Sequence, residues 1–181
     1  MPCTEPLFSD IAACGSAVES RPGFASIVGL ARLADLISMP VKPVLTAATT
    51  DDAYATITGA FVFESTKKFA KLETVGDFLE APGESIGSTG NLGMKYSPKI
   101  RVQNNAGTLG WLEKNINLTF VMALTKPGGL KKIYGDMDFP IRIAKVSVPE
   151  NPTENYIEVT FESMNTAVSY YTGTIPYVAA V

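Results

Sequence analysis

The stretch YIEVTFES, residues 156–163, decides the fold. Ile157, Val159 and Phe161 alternate with Glu158, Thr160 and Glu162, the period of two that sends one set toward a core and the other toward solvent. A strand of this kind needs neighbours that bury the same face. The preceding segment PIRIAKVSV, 140–148, supplies one across the turn-forming run PENPTEN, so the two form a hairpin.

Working outward, the same texture recurs. LTFVMAL, 118–124, is apolar on both faces and reads as a central or covered strand. The turn KPGG, 126–129, leads into the strand LKKIYG, and MKYSPKIRVQ, 94–103, is a strand whose Pro98 marks an edge or a bulge. AYATITGAFVF, 53–63, is expected as a strand with Ile57, Phe61 and Phe63 on one face, and KKFAKLETV, 67–75, as its antiparallel partner. GFASIVGLARLADLISMP, 23–40, fits both elements, with Phe24, Ile27, Val28 and Ala31 on one helical face, but β-branched Ile27 and Val28 and the interrupting Gly29 favour a strand; SYYTGTIP reads as the last strand. One helix is expected at LGWLEKNI, capped by Thr108. Leu109, Leu112 and Ile116 form its packing stripe and Trp111 lies beside it.

About eight strands and one short flanking α-helix predict a mainly β protein, a β-sandwich or barrel. Residues 1–23 read as an extended N-terminal arm ending at Pro22-Gly23, and residues 24–181 as a single β-sandwich domain. EAPGESIGSTGNLG, 80–93, is expected to be a long loop, the class of segment that carries contacts or function.

Composition narrows the function. The 181 residues are 46% hydrophobic and only 18% charged, so much of the surface is neutral or covered, as in a protein that assembles. Net charge is −3 and the basic residues are scattered, which argues against counterion-driven nucleic-acid binding. The chain has no histidine, which removes Ser-His and Cys-His mechanisms and the commonest metal ligand. Its two cysteines, Cys3 and Cys14, are too few for a zinc site or a disulfide framework and are expected as free or buried thiols. IAAC, 11–14, lacks the basic start and apolar run of a signal, and no apolar run reaches the length of a membrane span.

The remaining motifs favour structural readings. Glu158 and Glu162 lie about 13 Å apart along one strand, too far for the paired carboxylates of a glycosidase, and Arg142 and Lys145 on the adjacent strand offer charge pairing. DMD, 136–138, lacks the glycine and distal glutamate of a calcium loop and reads as a polar turn. GSTGNLG, 87–93, lacks the lysine of a phosphate loop. Lys67, Lys68 and Lys71 are flanked by Glu64 and Glu73, as on a solvated strand. NLT, 117–119, matches a glycan acceptor that matters only on secretion. No catalytic residue, cofactor or metal ligand is expected.

Taken in order, the arm, the strand GFASIVGLARLADLISMP, the long polar loop, the helix LGWLEKNI and the series LTFVMAL, GLKKIYG, FPIRIAKVSV, YIEVTFES and YYTGTIP resemble the tail tube proteins of tailed bacteriophages. The likeness lies in element order over most of the chain, not in a diagnostic motif. It implies a structural virion protein, assembled in the host cytoplasm and resident in the tail. Six copies would join edge to edge into rings that stack with one another and meet other tail proteins, while DNA passes transiently through the channel. By position, Glu84, Ser85, Ile86, Ser88, Thr89 and Asn91 would form the ring-stacking loop, residues 1–23 an arm, and LGWLEKNI the flanking helix. The face of Glu158, Thr160 and Glu162 would either line the channel, its mild acidity keeping phosphates from sticking, or form the outer face of the sandwich. The apolar tail YVAAV has no counterpart in that pattern.

Two other readings stand beside it. One is a head or neck component, a decoration protein or tube terminator. The other is a monomeric carbohydrate-binding or ligand-binding β-sandwich, whose concave face would draw on Trp111, Tyr134, Tyr156, Tyr170 and Tyr171.

Overall fold

The computed structural model describes residues 10–11, 27–44, 46, 49–75, 79–125, 129–149, 155–164 and 168–178. The expected arm, with Cys3 and Cys14, falls outside them except for β1 (Asp10–Ile11). Next come β2 (Ile27–Arg32), a 3-10 turn at Leu33–Asp35, β3 (Leu36–Ser38), helix α1 (Asp51–Ala55), β4 (Thr56–Ile57), β5 (Val62–Phe63) and β6 (Ala70–Glu73). The middle of the chain forms β7 (Leu79–Glu80), β8 (Gly83–Ser88), β9 (Asn91–Tyr96), β10 (Lys99–Gln103) and helix α2 (Ala106–Asn115). The rest is β11 (Thr119–Thr125), β12 (Lys131–Tyr134), β13 (Ile141–Ser147), β14 (Tyr156–Met164) and β15 (Ser169–Tyr171). The protein is mainly β, as its alternating segments predict.

β11 organises the sheet. One edge pairs antiparallel with β2 from Val28↔Leu124 to Arg32↔Phe120. The other edge is shared: Thr119 and Phe120 pair with β13, whereas Met122 to Thr125 pair with β12. The sheet therefore forks at Gly135, whose φ is +87° and where a Cβ would stand 3.1 Å from the Phe120 carbonyl oxygen and 3.2 Å from the Ile141 nitrogen. Only glycine occupies that corner without strain. One branch runs β13, β14, β10, β7; the other runs β12, β15, β4.

Alternation along β11 feeds two cores. Phe120, Met122 and Leu124 join Val28, Leu30 and Leu72 against Ile100, Ile157, Val159 and Phe161 of the first branch. Val121 and Ala123 face the other way, toward Ile57, Phe61, Phe69, Ile133 and Tyr171. Both faces of β11 are thus covered, which explains its unbroken apolar run. In the second core Phe61 meets Phe69 and Tyr171 edge to face, with centroids 5.0 and 5.1 Å apart.

Several expected elements differ. Residues 53–63 do not form one strand: Thr50 caps α1 by accepting a hydrogen bond from the Ala53 nitrogen at 3.3 Å, with Asp51 and Asp52 in the first turn where the helix dipole favours them. Segment 67–75 is not their partner, because β6 pairs antiparallel with β2 and parallel with β1, while β5 pairs with β3. Expected segment 94–103 divides at Ser97-Pro98 into β9 and β10.

The expected loop at 80–93 is instead mostly hairpin. β8 and β9 pair from Gly83↔Tyr96 to Ser88↔Asn91 across the two-residue turn Thr89-Gly90. Gly90 takes φ +90° there, and Gly87 takes φ +112° where a side chain would strike the Asn91 carbonyl.

Candidate functional site

Glu158, Thr160 and Glu162 share the outward face of β14, since Ile157, Val159 and Phe161 are fully buried behind them. The register adds what the single strand could not show. Thr160 lies between Lys99 of β10 and Lys145 of β13, and Glu162 lies opposite Arg142. The ion pairs go elsewhere: the Arg101 Nε donates to Glu158 Oε2 at 3.1 Å, and the Lys95 ammonium lies 3.1 Å from Glu162 Oε2. Arg101 also covers the Tyr156 ring at 4.3 Å. Glu80 stands opposite Lys99 and Glu84 opposite Lys95. Cations and carboxylates are therefore interleaved across this face, which is charge-balanced and not acidic.

The hairpin β8–β9 carries a second surface. Its inward-pointing row begins in the core with Tyr96, edge to face on Tyr134 at 5.8 Å, and continues along β9 through Met94 to Leu92. Beyond Tyr96 that row loses its cover: Met94 is 42% and Leu92 64% exposed. β9 touches β14 only at Lys95 and Tyr96, so Asn91 to Met94 form an open strand edge among the described residues. Glu84, Ser85, Ser88, Thr89 and Asn91 are exposed and Ile86 is half-buried.

Helix α2 packs differently from its sequence pattern. Leu112 is buried and Trp111 stacks on Phe120 at 6.3 Å, but Leu109 and Ile116 are 39% and 41% exposed. Asn115 takes the buried position instead. Its Oδ1 accepts from the Arg32 Nε at 3.0 Å and its Nδ2 donates to the Trp111 carbonyl. Asn105, not Thr108, caps the helix, accepting from the Thr108 nitrogen at 2.8 Å. Thr108 is fully buried, and its hydroxyl has no hydrogen-bond partner among the described residues.

The five rings proposed for a concave binding face do not gather. Tyr134 is buried in one core and Tyr171 in the other, Tyr170 stands opposite Lys132 on β15, Tyr156 lies on the outer face of β14, and Trp111 belongs to α2. Asp136 closes a polar turn, its Oδ1 accepting from the nitrogens of Asp138 and Phe139 at 2.9 and 2.6 Å. Beside that turn is a cavity of about 220 Å³ whose wall includes Lys42. Burial lowers the Lys42 pKa, and Asp136 partly offsets the shift.

Lys71 lies over the Tyr177 ring at 5.3 Å, whereas Lys67 and Lys68 precede β6 and rim a second cavity. Signals for the misplaced pieces existed in part. The TDD start of α1 is a cap followed by acids, and Leu92, Met94 and Tyr96 alternate after a Thr-Gly turn. Comparison with protein-family models, curated proteins and solved structures finds no match to the chain. No helix among the described residues is long and apolar enough to cross a membrane.

Proposed function

We propose that the protein is a tail tube subunit of a tailed bacteriophage, a structural virion component without a catalytic centre. Its copies form hexameric rings that stack around a channel for DNA. The observation that carries this reading is the β8–β9 hairpin, which extends the core's apolar row into solvent and, among the described residues, leaves the strand edge at Asn91 to Met94 without a pairing partner. Exposed apolar rows and unpaired edges invite a further copy of the chain. In the ring, the outward face of β14 lines the channel. Its interleaved charges give a wet surface on which Glu158 and Glu162 already hold Arg101 and Lys95.

Negative-stain electron microscopy with light scattering, at low and high protein concentration, tests the reading. Stacked rings or tubes with a central channel are expected. Isolated rings that never stack would favour a neck component, and a monodisperse monomer at every concentration would overturn assembly.

A further inference from the structure

The end of β2, the segment ahead of β6 and helix α2 enclose a cavity of about 210 Å³ that ring assembly does not require. Its inner surface is apolar and aromatic: Leu30 and Phe120 come from the two central strands, and Trp111 stacks on Phe120 with 29° between the ring planes. Its rim is cationic, with Arg32, Lys67 and Lys68 set against one carboxylate, Asp35. The Arg32 guanidinium is fixed in place through its bond to buried Asn115. Lys67 and Lys68 are exposed and form no ion pair among the described residues.

Small-ligand sites combine an apolar concave body with a few convergent polar groups. A flat aromatic wall takes a flat ring by stacking, and a cluster of cations beside it takes a negative group. The volume is below that of a typical drug-sized site, so the ring system is small. We propose that this cavity binds a small aromatic anion of one or two fused rings. The ring lies against Trp111, which backs onto buried Phe120, and its carboxylate, sulfonate or phosphate points to Lys67, Lys68 and Arg32.

Trp111 is the chain's single tryptophan, so intrinsic fluorescence reports on this cavity without a label. The intact protein is titrated with 2-naphthoate and, separately, with the neutral 2-naphthylmethanol, and calorimetry checks the binding. Naphthoate is expected to give saturable binding that weakens with added salt, and the neutral ring to bind more weakly. In the double variant Lys67→Glu, Lys68→Glu naphthoate should bind about five- to tenfold more weakly, as removal and reversal of two partly solvated charges implies, with the neutral ring unaffected. A thermal melt matching the parent shows that the variant folds, and Lys67→Gln, Lys68→Gln replaces it if it does not. No saturable response, equal binding of the charged and neutral rings, or no effect of the lysine substitutions would overturn the proposal. Because the readout is ligand binding, it succeeds or fails independently of ring formation.

Discussion

Arg32 and Asn115, 83 positions apart in the chain, are joined by a 3.0 Å hydrogen bond from the Arg32 Nε to the Asn115 Oδ1. The bond ties the end of β2 to the last turn of α2, and Asn115 relays it to the Trp111 carbonyl. A buried amide in place of an apolar residue fixes the helix in one register on the sheet, because its partners satisfy it at a single position.

Asn115→Ala is therefore expected to lower stability by about 1–3 kcal/mol, since it leaves the Arg32 Nε without this partner in a half-buried site. Urea denaturation monitored by Trp111 fluorescence measures it. A change below a few tenths of a kcal/mol would mean that the bond does not hold the helix.

Thr108 offers the opposite sign. Its buried hydroxyl has no hydrogen-bond partner among the described residues, so Thr108→Val keeps the shape and removes a desolvated polar group. The expected outcome is unchanged or raised stability, by up to about 1 kcal/mol, in the same unfolding assay.

Alkaline pH should loosen the fold through Tyr134. Burial, with Tyr96 and Tyr170 acting in the same direction, pushes its phenol from 10.0 up to about 12. The folded protein then keeps a proton that the unfolded chain has lost, so this contribution is complete below about pH 10 and disappears as the pH approaches 12. Stability falls by at most about 1.4 kcal/mol per pH unit in that window on account of this group. Tyr171 and Tyr177 are raised by burial too and steepen the fall. Unfolding midpoints measured across the window should show a shallower slope for Tyr134→Phe than for the parent; equal slopes would exclude Tyr134 as a source.

The hairpin carries the prediction closest to function. Leu92→Lys with Met94→Lys alters two side chains that are 64% and 42% exposed, so the monomer should fold with little change in stability. Assembly should be lost, seen as a fall in scattering mass and the disappearance of rings and tubes. Tubes formed by this variant as readily as by the parent would remove the hairpin from the assembly surface.

Much of the fold was legible because it is local. Strict alternation specified β14 with the correct face inward, and the unbroken apolar run of β11 correctly announced cover on both sides, whereas along β13 a bulge between Ile143 and Lys145 shifts the phase so that Val146 follows Ile143 onto the core. Where the reading failed, propensity and pattern competed. The hairpin at 83–96 is rich in glycine and serine, which resemble a loop by composition, and its strand character rests on pairing across the Thr89-Gly90 turn. On α2 the apolar stripe Leu109, Leu112 and Ile116 suggested the wrong buried face, because Asn115 secures burial through Arg32.

The outer face of β14 marks the limit. Its sequence determined that Glu158, Thr160 and Glu162 point together away from the core, since a two-residue period admits no other arrangement once Ile157, Val159 and Phe161 are buried. Only the tertiary structure decided what stands beside them, Arg101 and Lys95 as ion-pair partners and Lys99 and Lys145 flanking Thr160. The pairing of β6 with β2 and the fork at Gly135 belong to the same class. A strand's own residues encode which side is apolar. Its neighbours are chosen by which distant apolar faces can be buried together, and that choice depends on the whole chain.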